Sequence, residues 1–240
     1  MSADREYPYG TVGKLFFTIP GQGDYVCSAS VLRPRIVLTA GHCVHSGTSA
    51  GFYTNWLFIP AFRDGTAPYQ SWPWAYVIVT GTWASGGGTV PNAADYAIIE
   101  VQDVAVSGTV RRIGDVVGYL GYQTLSLSGN HAHLLGYPCN LDSCQKQHQV
   151  TAETYRSVSP NNVEYGSDMR GGSSGGPWVQ NFGLPADGQT GGVNPGFNRA
   201  IGVTSYGYNS TDPKVQGASI LDNRFIDILN TACGHRAGNC

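Results

Sequence analysis

Ser174, which stands among glycines, is the residue of this chain best suited to covalent chemistry. Residues 171–177 read GGSSGGP, and such glycines leave the hydroxyl open while neighbouring backbone N–H groups converge on one point. His42 and Asp95 come earlier, each at an end of an apolar, strand-like run. A histidine can accept the serine's proton, and a buried carboxylate can fix that histidine's tautomer. The sequence therefore predicts a Ser–His–Asp nucleophilic site.

Short strands must position these three groups. Apolar or alternating runs bounded by turn residues predict strands at residues 14–19, 28–32, 36–39, 75–80, 96–101, 116–119, 131–136, 148–152, 177–179 and 200–205. The pattern predicts a helix at the C-terminal end, because Asp222 can cap an apolar face that begins at Phe225. Strands without alternating helices indicate an all-β sandwich or barrel.

A weak junction follows the Asp95 strand, at residues 102–108. It predicts an N-terminal domain, residues 1–105, which carries His42 and Asp95. The C-terminal domain, residues 106–240, then carries Ser174 and the terminal helix.

Composition excludes several classes of partner. Glycine accounts for 33 of 240 residues and charged residues for 12%, a profile that fits many short strands joined by tight turns. A formal net charge of −2 without a basic cluster gives no electrostatic footprint for nucleic acid or an anionic membrane. No apolar run approaches the roughly 18 residues that span a bilayer.

The six cysteines form an even set without a C-x-x-C pair, so we expect no zinc site. His131 and His133 share a strand face, but two ligands without a third make a poor metal site. Free thiols in a cytosolic enzyme are one alternative. The simplest pairing is three local disulfides, which implies an oxidising compartment and secretion: Cys27–Cys43, Cys139–Cys144 and Cys233–Cys240.

Three motifs resemble those of chymotrypsin-like (trypsin-like) serine peptidases, in the family's order. Residues 39–43 (TAGHC) resemble the histidine motif, residues 95–99 (DYAII) the aspartate strand, and residues 172–177 (GSSGGP) the nucleophile motif. The interval from Cys27 to Cys43 is similar to the disulfide that pins the family's histidine loop. Residues 136–138 (GYP) and the sparse disulfides look closest to the bacterial, glutamyl-endopeptidase-like branch.

The resemblance implies two six-stranded antiparallel β-barrels with the site between them, followed by the C-terminal helix. It also implies a cofactor-free, monomeric endopeptidase that acts on proteins or peptides. Ser174 would attack the scissile carbonyl, His42 would accept and return the proton, and Asp95 would orient His42. The N–H groups of Gly172 and Ser174 would form the oxyanion hole.

A substrate pocket follows from the same resemblance. Asp168, six residues before the nucleophile, falls at the pocket base in the trypsin-like pattern, where a carboxylate pairs with Arg or Lys. Ser205, Tyr206 and Gly207 resemble the strand that binds the substrate backbone, and Gly207 and Gly217 fall where open pocket walls are expected. The sequence therefore predicts cleavage after Arg or Lys.

Other interpretations remain open at this stage. Glutamyl endopeptidases also carry an aspartate in this stretch, although they have a histidine where this chain has Thr204. A catalytically silent homologue would use the same cleft for binding. Residues 172–176 also satisfy G-x-S-x-G, the nucleophile motif of α/β-hydrolases, with Asp212 or Asp222 and then His235 downstream.

Ser173 departs from the family pattern, in which an aspartate pairs with the N-terminus freed by propeptide cleavage. A serine carries no charge, so that ion pair cannot form here. We therefore expect maturation without dependence on a specific free α-amino group.

Overall fold

The computed structural model of the chain describes residues 3–183, 196–209 and 214–240. Its strands, in chain order, are β1 (Val12–Ile19), β2 (Gly23–Arg33), β3 (Ile36–Thr39), β4 (Thr54–Pro60), β5 (Trp72–Val79), β6 (Ala97–Val101), β7 (Val104–Val106), β8 (Thr109–Arg111), β9 (Gly121–Tyr122), β10 (His131–Gly136), β11 (His148–Val158), β12 (Asn162–Gly166), β13 (Pro177–Gln180), β14 (Arg199–Val203), β15 (Tyr206–Gly207) and β16 (Val215–Ser219). The α-helices are α1 (Gly81–Ala84), α2 (Gly114–Val117), α3 (Cys139–Asp142) and α4 (Asn223–His235).

The first six strands close into a barrel in the order β1-β2-β3-β6-β5-β4. Every residue of β3 and β6 is buried, as expected of apolar strands covered on both faces. These two strands are antiparallel neighbours, and Thr39 at the end of β3 pairs with Ala97 at the start of β6. The segments that carry His42 and Asp95 therefore leave the barrel at the same end.

The second half forms an eight-stranded sheet in the order β15-β16-β12-β11-β10-β13-β14-β9. The predicted second six-stranded barrel is not confirmed, because no closed ladder forms among the strands described. The sheet nevertheless curls: β15 continues the chain of β14 after two residues, and Ser205 between them donates its N–H to Gly217 O of β16 at 2.8 Å. These two strands, consecutive in the chain, therefore lie at opposite ends of the sheet order: β15 forms one edge and β14 is next to the other.

Several predicted strands match the structure closely. The strands at 36–39 and 131–136 have the predicted bounds. The strand predicted at 116–119 is wrong, since α2 occupies this region. Val117 N–H donates to Ile113 O, and Gly118 then ends the turn with φ +75°. Local turn hydrogen bonds satisfy this short apolar run without a partner strand.

The C-terminal helix α4 begins where the sequence predicts. Asp222 is its N-cap and accepts a hydrogen bond from Arg224 N–H at 3.0 Å. Phe225, Ile228 and Leu229 face the core. No helix in the described part of the chain is long and apolar enough to cross a membrane.

The six cysteines form three disulfides, in the three local pairs predicted as the simplest pairing. They link Cys27 to Cys43, Cys139 to Cys144, and Cys233 to Cys240. The first ties β2 to the turn that carries His42, and the third closes the chain end beyond α4.

Candidate active site

His42 and Asp95 form a close pair at the end of the first barrel. The His42 ring donates from Nδ1 to Asp95 Oδ2 at 2.8 Å, and the His42 backbone N–H donates to Asp95 Oδ1 at 2.8 Å. This bidentate contact fixes both the backbone and the ring of His42. It leaves Nε2, the nitrogen needed by a general base, on the far side of the ring.

Gly41 permits this close approach. A Cβ on Gly41 would lie 2.8 Å from Trp83 Cγ, closer than real Cβ contacts, and 3.0 Å from Asp95 Oδ1, which is also tight. Glycine at this position, between Ala40 and His42, therefore has a packing reason.

The Asp95 carboxylate is fully buried and well supplied with donors. Besides the two bonds from His42, Oδ2 accepts a hydrogen bond from Ser205 Oγ at 2.6 Å. Ser219 Oγ in turn accepts the Asp95 backbone N–H at 3.0 Å. Both serines belong to the second half of the chain, so that half helps to hold the carboxylate.

The environment of His42 raises its pKa. Burial of the ring alone would lower the pKa, but the negative charge of Asp95 and the hydrogen bond to it outweigh burial and raise it above 6.5. The imidazolium that forms on proton uptake is therefore stabilised, as a general base requires.

The loop before β13, residues 170–174, has every carbonyl oxygen hydrogen-bonded. Donors to its five carbonyls are, in chain order, Ser173 N–H and Oγ, Cys139 N–H, Ser28 Oγ, Gly176 N–H and Ser28 N–H. By contrast, the N–H groups of Gly172 and Ser174 donate to nothing within the described chain. Free N–H groups on either side of one residue form a site for a negatively charged oxygen.

Two glycines make this loop possible. Gly172 has φ +94° and Gly175 has φ +78°, a region that favours glycine. A Cβ at Gly172 would collide with Tyr137 O and Cys139 Sγ, and one at Gly175 would collide with Thr39 Oγ1 and Ser28 O. Thr39 lies three residues before His42, so the close packing at Gly175 brings the Ser174 loop against the histidine segment.

A cavity of about 400 Å³ opens beside Ser174. Tyr206 and Gly207, which the sequence assigns to the substrate-binding strand, line it. Buried polar side chains form its inner end: Ser167, Ser173, Thr204 and Gln216.

The structure places two of the predicted pocket residues differently from the expectation. Asp168 lines the cavity, but it is exposed rather than buried at the base. Ser205, next to Tyr206, donates its hydroxyl to Asp95. Gly217 does not line the cavity, because the Tyr206 ring lies directly over its Cα and would collide with any Cβ there. Gln216, one residue earlier on the opposite strand face, lines the cavity in its place.

Sequence reasoning missed several residues that support the site, of which Ser28 and Gln216 contact the Ser174 loop. Ser28 is fully buried in β2, donates its Oγ to Gly172 O at 2.8 Å and accepts the Tyr137 N–H at 2.8 Å. The available signal was a polar residue inside an apolar strand. Gln216 carries no comparable signal, since its role depends on strand register.

The α/β-hydrolase alternative does not fit. Ser174 is followed by strand β13 rather than by a helix. Asp222 caps α4, and His235 Nδ1 contacts Glu100 Oε2 at 2.6 Å, on the first barrel. Asp212 lies outside the described residues.

Among the described residues, a single group of metal-type ligands comes together: Cys27, His42 and Cys43. Both cysteines are joined in a disulfide, so neither offers a thiolate. This group therefore cannot act as a metal site while that disulfide is intact.

Comparison with known proteins agrees with this geometry. The family model described as Trypsin matches residues 8–229. A glutamyl endopeptidase of Bacillus licheniformis is 31% identical over 178 residues, which cover 71% of this chain and 49% of that protein. The chain spans about half the length of the curated relatives it matches.

Two solved structures share the fold over nearly their whole length. The thermostable serine protease AL20 from an extremophilic microorganism has a TM-score of 0.76 at 28% identity, covering 95% of this chain and 98% of its own. The protease Anisep from Arthrobacter nicotinovorans has a TM-score of 0.74 at 28% identity, covering 94% and 96%. The chain belongs to the trypsin family of serine proteases.

Proposed function

We propose that this chain is a serine endopeptidase that hydrolyses peptide bonds through an acyl-enzyme at Ser174. The loop of residues 170–174 carries this proposal, because its carbonyls are all bonded while the N–H groups of Gly172 and Ser174 stay free. A silent binding homologue has no need of such a loop beside a His–Asp pair.

The chemistry follows from the groups present. Ser174 Oγ attacks the substrate carbonyl carbon while His42 Nε2 takes its proton. The carbonyl oxygen becomes negative and is stabilised by the N–H groups of Gly172 and Ser174. His42 then protonates the leaving amine. In the second half-reaction, water attacks the acyl carbon while His42 takes its proton, and Ser174 Oγ leaves with that proton as the acid is released. Asp95 stabilises the imidazolium at each stage.

For the residue before the scissile bond, we propose Arg or Lys. Asp168 supports this preference, as the carboxylate among the described residues that line the cavity. Because Asp168 is exposed, water and salt screen the pairing, and we expect a preference of only about fivefold.

Glutamate is the second candidate at that position. Arg170 and Lys214 line the same cavity and supply positive charge, and the Bacillus licheniformis relative is a glutamyl endopeptidase. Thr204, which stands where those enzymes have a histidine, is buried in the cavity lining and accepts Trp178 Nε1–H at 2.9 Å.

A peptide panel tests both levels of the proposal. Peptides with Arg, Lys, Glu or Phe before the scissile bond are assayed with and without a serine-directed covalent inhibitor, in the wild type and Asp168→Asn. We expect inhibitable cleavage that favours Arg and Lys, with the preference lost in Asp168→Asn. Preference for Glu in the wild type would replace the first candidate by the second. Absence of both cleavage and Ser174 labelling would refute the enzyme.

Three further features belong to the same proposal. Three disulfides support function in an oxidising, extracellular setting.

The curled second sheet supports a second barrel that closes through residues 199–207. Hairpin β7–β8 lies at the proposed domain division near residue 105. We propose a monomer that acts on proteins or peptides.

A further inference from the structure

Buried hydrogen bonds connect the inner end of the cavity to the loop that carries Ser174. Ser167 Oγ donates to Gln216 Oε1 at 2.9 Å, and Gln216 Nε2 donates to Ser173 Oγ at 2.8 Å. Ser173 Oγ then donates to Arg170 O at 2.6 Å. The side chains of Ser167, Ser173 and Gln216 belong to residues that are 7%, 1% and 2% exposed, so water does not compete for these bonds.

This arrangement requires both ends of a glutamine amide. The Ser173 hydroxyl proton is used on Arg170 O, so its partner from β16 must be a donor. The Ser167 hydroxyl donates, so its partner must be an acceptor. A primary amide supplies one of each, whereas a carboxylate supplies acceptors alone and an aliphatic side chain supplies neither.

Strand register delivers Gln216 to this place. Gln216 pairs with Tyr165 on one side and with Gly207 on the other. Its neighbour Gly217 faces the opposite side of the sheet beneath Tyr206. Shifting the register by one residue would turn the amide away from Ser173.

We propose that Gln216 is a positioning residue that holds the oxyanion loop from the inner end of the substrate pocket. The inference rests on the proposed function of that loop. Ser173 lies between the two residues with free N–H groups, Gly172 and Ser174, and is bonded to Arg170 O through both its N–H and its Oγ. Gln216 therefore stabilises the turn through a neutral hydrogen bond to Ser173, whereas a charged residue at position 173 would need a partner of opposite charge.

Loss of this hydrogen bond acts on the turnover step. Gln216 does not reach the scissile bond, but the two N–H groups must meet the oxyanion at hydrogen-bond distance. A displacement of a fraction of an ångström to 1 Å costs about 10- to 100-fold in rate. We therefore expect Gln216→Leu and Ser173→Ala each to lower kcat by about 10- to 100-fold, by a similar factor for every substrate in a peptide panel.

A double-mutant comparison tests this coupling. If Gln216 acts through Ser173, the Gln216→Leu/Ser173→Ala chain has a kcat within about threefold of the worse single variant. Ser167→Ala is the matched control: it removes the other amide partner and leaves the Ser173 bond, so its kcat loss is several-fold smaller. The inference would be overturned if the kcat loss of the double variant equalled the product of the two single losses. It would also be overturned if Ser167→Ala lost as much kcat as Gln216→Leu. A change confined to KM would do the same.

Amide hydrogen exchange separates this inference from the proposed function. The peptide that covers residues 170–175 exchanges faster in Gln216→Leu than in the wild type, while β3 and β6 peptides, which report on folding, stay unchanged. If the wild type is inactive but the loop of Gln216→Leu exchanges faster, the positioning role of Gln216 is supported and the proposed endopeptidase activity is refuted. An active wild type whose loop exchange and kcat are unaffected by Gln216→Leu would refute the role of Gln216.

Discussion

The two halves of the molecule hold their parts of the site by different means. In the first half, adjacent strands of a closed barrel deliver His42 and Asp95 to one end, and the pair then bonds directly. In the second half, Ser174 sits on a loop outside any ladder. The backbone N–H groups of Cys139 and Ser28 hold that loop together with the side chains of Ser28 and Gln216.

The difference separates two kinds of vulnerability. A barrel ladder uses backbone groups, which survive most side-chain substitutions, so the placement of the first pair is spread over many bonds. The loop also has backbone hydrogen bonds, but it adds a few buried side-chain bonds, each of which one substitution removes. The halves also support each other, since Ser28 of the first half bonds to Gly172 and Ser205 of the second half bonds to Asp95.

Removing the nucleophile should have the largest effect. Ser174→Ala deletes the attacking oxygen and leaves the His–Asp pair and the free N–H groups in place, so kcat falls by up to about a millionfold. Rate measurements with an ester and a peptide test this. Activity within tenfold of the wild type would show that another residue is the nucleophile.

Asp95→Asn comes next, because it breaks the pair in the first half. Turnover should fall by about 10⁴-fold. The pH dependence gives a second measurement. His42 acts as a base only when neutral and its pKa is raised, so wild-type kcat/KM increases with pH with a midpoint above that of an unperturbed histidine.

Asp95→Asn removes the negative charge, the larger of the two causes that raise the pKa of His42, and leaves burial, which lowers it. The midpoint should therefore move to lower pH. An unchanged midpoint in this variant would mean that the titrating group is not His42.

Ser28→Ala tests the support that the first half gives to the loop. It leaves Gly172 O and Tyr137 N–H without their partner, and buried groups left unsatisfied cost about 1–3 kcal/mol each. We expect a lower melting temperature and roughly tenfold lower kcat.

Ser30→Ala is the matched control, on the same strand. Ser30 Oγ is buried without a partner in the described chain, so its removal should leave stability and kcat unchanged or raise stability. Equal effects of Ser28→Ala and Ser30→Ala on kcat would show that strand packing, and not the bond to Gly172, supports the loop.

The smallest effect on turnover should come from the chain end. Replacing Cys233 and Cys240 by serine opens a disulfide with a sequence separation of 7, which costs about 2 kcal/mol of stability in the chain-entropy model. That disulfide joins α4 to the segment that follows it, and neither cysteine is among the residues of the site. Active-site titration should give unchanged kcat per folded molecule, and a lower kcat would connect the chain end to the site.

Local sequence carries the chemistry of this protein. The residue types around His42, Asp95 and Ser174, and their order, indicate a serine peptidase. The apolar run at 36–39 and the alternating run at 131–136 are strands with the predicted bounds. Asp222 marks the start of α4 because capping is a local interaction. The strand predicted at 116–119 is wrong, since a short run of this composition forms a helical turn as readily as a strand.

Tertiary structure alone decided the pocket and the support of the loop. Asp168 and Gly217 are pocket residues by resemblance to the family, yet the first is exposed and the second lies under Tyr206. Gln216 reaches Ser173 because of strand register, a property of pairing between distant segments that no local pattern encodes. The sequence by itself determined which groups do the chemistry; the partners that hold them were decided by which strands met.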